Sequence, residues 1–208
     1  MPAKTASPRN DRRRTRSARE RCSFNRREAA YFADVSVRQV DKAIEEKVVR
    51  PWRPDVRLIY LDRDDVVTIA VLAKTGLQLP KQTKRQIHKW VRSSFEERPV
   101  KHRELSLSNI LVLRLDPAIV SMADQLDAYR ERRERYISSD LEIQGGEPVI
   151  AGTRLPVSSV ATRLDRGDSL DDLAADYPGI PKTAFEAARI YADAHPRRGR
   201  PARPWRDG

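Results

Sequence analysis

Gly145-Gly146-Glu147-Pro148-Val149-Ile150-Ala151-Gly152-Thr153-Arg154-Leu155-Pro156-Val157 decides how the C-terminal part of the chain folds. Pro148-Val149-Ile150 reads as a short apolar strand pinned by glycines on both sides. Gly152 allows a backbone turn that other residues resist, and Thr153 can begin a turn or cap the next segment. Tyr136-Ile137-Ser138-Ser139-Asp140 precedes this stretch, and a run of short helices follows it. The first, Val157–Arg166, is stopped by Gly167-Asp168-Ser169. Ser169 is an N-cap for Leu170–Asp176, with Asp171 and Asp172 in the first turn, where the positive end of a helix favours acids. Tyr177-Pro178-Gly179 breaks the chain again. A last helix, from Pro181 to Ala194, turns Phe185, Ala188 and Ile190 or Tyr191 inward.

Upstream, ordered structure is predicted to begin near Cys22-Ser23-Phe24. Residues 25–33 (NRREAAYFA) form a short helix with Ala29, Ala30 and Phe32 or Ala33 inward. Asp34-Val35-Ser36 makes a tight turn, and Ser36 caps a second helix, Val37–Glu46. Val37, Val40 and Ile44 form its buried stripe, which leaves Arg38, Gln39, Asp41 and Lys42 toward solvent. Helix, tight turn and helix with an outward Arg, Gln and Lys is the layout of a helix-turn-helix reader. Residues 48–60 then read as two short strands around a Pro-containing turn, a wing bearing Arg50, Arg53 and Arg57. Asp62 begins an apolar helix, Asp64 to Thr75, closed by Gly76. A basic helix from Lys81 to Ser93 follows, with Ile87, Trp90 and Val91 inward.

Residues 96–104 are polar and contain Pro99, and mark a domain boundary. Leu105–Leu115 reads as one partly buried strand. Pro117 starts a helix whose apolar face carries Ile119, Val120, Met122, Ala123, Leu126 and Tyr129. This strand and helix make a connector or a dimer element. The predicted fold class is therefore mainly α with small β elements. A winged helix-turn-helix (22–95) is joined by the connector (96–135) to a three-helix, helix-turn-helix-like module (136–194).

The charge of +11 sits at the ends. Residues 1–21 hold eight Lys or Arg against Asp11 and Glu20, and residues 195–208 hold five Arg against Asp207, whereas the 173 residues between carry a net charge of only +1. Met1 to Arg21 lacks hydrophobic periodicity and reads as a disordered basic arm. Residues 195–208 make a second basic arm. Such arms suit an anionic partner, nucleic acid or an acidic pocket on a protein, or serve only solubility. The N-terminal arm, with Arg12, Arg13 and Arg14, precedes the reader and fits DNA phosphate. The expected DNA-binding set is Arg12, Arg13, Arg14, Ser36, Arg38, Gln39, Lys42, Arg53 and Arg57.

A lone Cys22 excludes an intramolecular disulfide and fits a reducing cytoplasm. No apolar run approaches the ~20 residues of a membrane span, so a soluble cytoplasmic protein is expected. Catalysis is not. His88, His102 and His195 are far apart with no metal-ligand spacing, Cys22 has no evident base, and the loop 145–152 lacks the Gly-Lys-Ser/Thr of a phosphate loop. Asp64-Asp65 and Asp171-Asp172 read as helix-start acids. No catalytic residue, metal or cofactor is assigned.

The string GGEPVIAGTRLPV resembles the core motif of the domain-of-unknown-function 433 family, small helical modules found in bacterial antitoxins, and the resemblance extends from about Tyr136 to Ala194. Its motif residues here are Gly146, Pro148, Gly152, Thr153 and Arg154, the last expected to lock the turn by side-chain hydrogen bonds. Residues 24–76, above all REAAYFADVSVRQVDKAIEEKVV (27–49), are similar to the winged helix-turn-helix of MerR-type regulators. The first resemblance implies a homodimeric VapB-type antitoxin that forms a hetero-oligomer with a PIN-like ribonuclease toxin and represses its own operon by binding operator DNA. It also implies that the C-terminal arm lies along the nuclease. Such nucleases hold Mg²⁺ or Mn²⁺ with clustered carboxylates, and an Arg there forms bidentate carboxylate pairs in the metal's place. Arg197, Arg198, Arg200, Arg203 and Arg206 are the candidates, with Trp205 as an aromatic anchor. Arg198-Gly199-Arg200-Pro201 also resembles an AT-hook core, a ribbon for the minor groove of A·T-rich DNA. Against the antitoxin stand a free-standing helix-turn-helix regulator without a toxin and an architectural protein that uses both arms.

Overall fold

The computed structural model describes residues 24–55, 58–96, 100 and 103–196. Those residues are mainly helical, with three small sheets. The chain divides into two compact units, Met1–Glu131 and Arg132–Gly208. The division falls inside a long helix, so most of the segment read as a connector belongs to the first unit.

The first unit opens with β1 (Phe24–Asn25) and α1 (Arg26–Ala33). Asn25 ends the strand and caps the helix: its side chain accepts from the amides of Arg27 and Glu28, and Glu28 returns a bond to the Asn25 amide at 2.8 Å. This capping box satisfies donors that a bare helix start leaves open. Glu28 is itself buried, an outcome the periodicity of α1 does not predict. Its second oxygen accepts from the Tyr129 hydroxyl at 2.8 Å, so the carboxylate that caps α1 also docks a helix a hundred residues later. Asp34 ends α1 in the left-handed region (φ 52), which Asp tolerates better than most residues. Ser36 then caps α2 (Val37–Glu45) through a second box with Gln39.

Val40, Ala43 and Ile44 are the buried residues of α2. Val37, expected in that stripe, is 36% exposed. It is the first helical residue, and a helical side chain leans toward the N-terminus, so Val37 points past the packed surface toward the turn. After α2, β2 (Trp52–Asp55) and β3 (Leu58–Leu61) pair antiparallel, and β1 adds to β3 with Phe24 opposite Leu61. The two strands expected as a wing are thus part of a three-stranded sheet, in order β1-β3-β2, with β3 at its centre. Asp62 caps α3 (Arg63–Thr75), which Gly76 closes at φ 61. α4 (Lys81–Phe95) is longer than its apolar spacing indicates and buries His88, Ser94 and Phe95 as well as Ile87, Trp90 and Val91.

Leu105–Leu115 is not one strand. β4 (Glu104–Ser108) and β5 (Leu111–Arg114) form a hairpin that turns at Asn109 and Ile110. An Asn followed by a β-branched residue is a weak turn signal, since the favoured two-residue turns want Gly second. α5 (Pro117–Tyr136) follows and buries Ile119, Ala123, Leu126 and Tyr129.

In the second unit, β6 (Ile137–Ser138) pairs with β7 (Val149–Ile150). Three helices complete it: α6 (Val157–Asp165), α7 (Leu170–Asp176) and α8 (Lys182–Ala194). Their core joins Ile150, Val157, Val160, Leu173, Ala184, Phe185 and Ala188. Phe185 is fully buried and meets the Tyr177 ring at 6.4 Å. Ser169 caps α7 through a box with Asp172, the acid read as a helix-start residue. No helix among the described residues is long and apolar enough to cross a membrane.

Candidate nucleic-acid interface

Arg38 and Lys42 are separated by one helical turn and lie exposed on α2, opposite the packed side formed by Val40, Ala43 and Ile44. What makes this face usable is how firmly the helix is held. At its start, the Ser36 amide and hydroxyl both donate to Gln39 Oε1 at 2.9 Å, while Ser36 Oγ accepts from the Gln39 amide. Two of the predicted DNA contacts therefore spend polar atoms on capping the helix. In mid-helix, Asp41 takes Arg26 of α1 at 3.0 Å. At its end, Arg85 of α4 donates to the carbonyls of Glu46 and Lys47, both at 3.2 Å. A guanidinium there satisfies orphan carbonyls and matches the negative end of the helix. Lys84 pairs with Glu46 at 2.6 Å, and that hydrogen bond, with the charges of Lys84, Lys42 and Lys81, holds the Glu46 carboxyl below its ordinary value. Lys84 and Arg85, counted from sequence as part of a basic helix, are thus fasteners for α2.

The segment leading into the β2-β3 hairpin is tied to α3. Arg50 is exposed, but its amide donates to Asp65 Oδ1 at 3.4 Å. Asp65 is fully buried at the start of α3, where it boxes with Asp62 and meets His88 Nε2 of α4 at 2.9 Å. Asp62 in turn holds Arg92 at 2.9 Å. Burial, together with the charge of Asp65, raises the Asp62 carboxyl above its ordinary 3.8. Reading Asp64-Asp65 as helix-start acids identifies the cap and misses the His88 partner, which lies 23 residues away. Arg53 on β2 is exposed, and Trp52 stacks obliquely on Tyr60 at 5.9 Å to stiffen the hairpin.

Arg38 and Lys42 on α2, Arg50 just before β2 and Arg53 on β2 are thus exposed cations. Arg12, Arg13, Arg14 and Arg57 lie outside the described residues, as do Arg197, Arg198, Arg200, Arg203, Trp205 and Arg206. Among the described residues, no group of three or more His, Cys, Asp or Glu is placed to hold a metal ion.

In the second unit the motif residues build one compact turn. The Pro148 carbonyl accepts from the Val157 amide at 2.9 Å, and the Ile150 amide donates to Leu155 O at 2.9 Å. Between them Gly152 turns at φ 75. Thr153 Oγ1 donates to Ile150 O at 2.8 Å and accepts from the Leu155 amide at 3.1 Å. The hydroxyl of Thr153 therefore fastens the turn, and Arg154 beside it is exposed and has interactions of its own. Gly146 sits at φ 86, where an added Cβ would meet Leu141 Cδ2 at 3.1 Å. Around the helices, Arg163 joins Asp168 and Asp176, Arg189 joins Asp165 and Asp193, and Lys182 joins Asp171.

Comparison with known proteins places a family on this second unit. The model of DUF433, a protein family of unknown function, matches residues 137–192. The uncharacterized protein y4eO of Sinorhizobium fredii (strain NBRC 101917 / NGR234) is 36% identical over 90 residues, 43% of this chain. The chain spans only 40% of that curated relative's length. Of solved structures, a DUF433 member protein from Anabaena variabilis ATCC 29413 is 31% identical, covering 39% of this chain and 78% of its own, with a TM-score of 0.28. RV2018 from Mycobacterium tuberculosis is 14% identical, covering 79% of this chain and 95% of its own, with a TM-score of 0.38.

Proposed function

We propose, from the match of residues 137–192 to the model of the DUF433 family, that the chain is the antitoxin of a toxin–antitoxin pair, with an operator-binding module at its N-terminal end. The observation that carries the DNA-binding half is the exposed Arg38 and Lys42 on a helix clamped at its start, middle and end, followed by exposed Arg50 and by Arg53 on the hairpin. A reading helix has to be rigid, because base discrimination depends on side chains arriving in fixed register. In this reading α1, the turn and α2 serve as a MerR-like helix-turn-helix, and β2-β3 is its wing.

The toxin-neutralising half rests on the family motif and on the five arginines of residues 195–208. In this reading the partner is a PIN-like ribonuclease, whose carboxylate cluster receives an arginine from that segment. The protein acts as a homodimer, joins its toxin in a larger complex, and represses its own operon from the cytoplasm. It is not itself an enzyme.

Co-expression with the product of the adjacent gene tests the reading. A neighbour that stops growth alone, and becomes harmless in a stable complex with this chain, is the expected result. A harmless neighbour that does not co-purify would remove the toxin. The exposed cations of α2 would then favour the second reading, a stand-alone regulator.

A further inference from the structure

We propose that the open edge of β5 is the homodimer contact, pairing antiparallel with β5 of a second copy to make a four-stranded sheet. The inference rests on the homodimer of the proposed function but on neither the toxin nor the operator. Among the described residues β4 and β5 form a sheet of two strands, and α4 packs against β4. A two-stranded hairpin is marginal in water unless more strands or a helix complete it, and β5 carries no third strand among those residues. Its faces alternate. Leu105, Leu107, Leu111 and Leu113 are half-buried on one side, while Ser106, Val112 and Arg114 are exposed on the other. At the tip Ile110 is 96% exposed.

The two strands differ in what they offer. The register slips in β4 between Ser106 and Ser108, an irregularity of the kind that discourages edge pairing, whereas β5 has no bulge, Pro or Lys to protect it. The ladder decides which backbone groups of β5 are available. The Leu115 amide donates to Arg103 O at 2.8 Å, so by antiparallel alternation Leu113 also faces β4, and the N–H and C=O of Val112 and Arg114 face the open edge. A second copy of the same strand supplies the matching donors and acceptors about a two-fold axis.

The register follows from keeping each face with its like. Centred on Leu113, it sets Leu113 opposite Leu113 of the second copy, and Val112 opposite Arg114 of the second copy, with bonds exchanged at both ends. The leucine face becomes continuous, and the two Arg114 side chains never face each other.

Sedimentation of the full chain without DNA, over a range of concentrations, tests this. The wild type is expected to dimerise. Val112→Pro removes an outward amide and spares the β4 ladder, and Val112→Lys sets a cation opposite Arg114 of the second copy. Each is expected to raise the dimer dissociation constant at least tenfold with unchanged circular dichroism. Adding the swap Arg114→Glu with Glu104→Arg to Val112→Lys, which keeps the Glu104–Arg114 ion pair across the hairpin, is expected to restore it. If Val112→Pro fails to fold, the charge pair decides. Dimers undisturbed by Val112→Lys would overturn the β5 contact and leave the homodimer standing. A weakened Val112→Lys dimer that the Glu104–Arg114 swap does not rescue would overturn the Leu113-centred pairing. A wild type monomeric throughout would remove the homodimer and this contact together.

Discussion

Arg38 and Arg85 are cations that meet the same helix from opposite sides. Arg38 projects from the outer face of α2, whereas Arg85 comes from α4 to hold the carbonyls at its end. Mutation should separate them. Arg38→Ala and Lys42→Ala should leave the melting temperature nearly unchanged and, where a base contact is lost, weaken operator binding by roughly 1–3 kcal/mol. Arg85→Ala should cost roughly 0.3–1 kcal/mol of stability, the scale of a cation at a helix C-terminus. Fluorescence anisotropy at matched salt, alongside thermal melts, reads both quantities, and operator affinity unmoved by either α2 variant would exclude that face as the reader. The same logic assigns the family motif's Thr153 a structural role. Thr153→Val keeps the shape and removes both hydroxyl bonds, so about 1–2 kcal/mol of stability should go, measured by urea denaturation. A stability loss seen in Arg154→Ala and absent from Thr153→Val would place the locking role on the arginine instead.

Between α3 and α4 the bond network binds its elements at an electrostatic cost, and the cost has a pH signature. In the folded chain the half-buried Asp62, beside Asp65, keeps its proton to higher pH than its ordinary 3.8. Folding therefore gains from that proton at low pH and loses the gain as pH rises through the folded value. Asp62→Asn still caps α3 but no longer titrates. Its stability relative to wild type should rise with pH from about the ordinary carboxylate range upward, then level off. Glu46 shifts the other way but is present in both proteins and cancels in the difference. Urea denaturation at a series of pH values measures this, and a flat difference would contradict the raised Asp62. The elements themselves were legible in the sequence where their signals are local. Ser36, Asp62, Gly76 and Ser169 mark helix ends by chemistry within a few residues. The bonds joining the elements were not, because Glu28 to Tyr129 spans 101 residues and His88 to Asp65 spans 23, and neither residue type announces a distant partner. The β4-β5 turn was missed for a different reason: Asn109-Ile110 lacks the glycine that marks a tight hairpin. On the candidate site, charge and helical phase located Arg38 and Lys42, but they could not show that Gln39 and Ser36 spend their polar atoms on each other.

Across the whole molecule, charge is divided between a nearly neutral middle and two basic ends, and the proposed function assigns those ends to different anions. If residues 1–21 and the face of α2 serve DNA while residues 195–208 serve the nuclease, the two activities must be separable. Deleting residues 195–208 removes a net charge of +4. Were those arginines on phosphate, operator affinity would fall and its salt dependence would flatten, since each neutralised phosphate contributes about −0.9 to the slope of log affinity against log salt. With the arginines on toxin carboxylates, both DNA quantities stay near the full-length values while nuclease inhibition is lost. The truncated protein is therefore expected to bind operator with unchanged affinity and salt slope, and to leave the toxin active. A flattened slope with inhibition intact would transfer the segment to DNA, as its AT-hook resemblance implies. The nuclease contact would then have to come from the folded module itself.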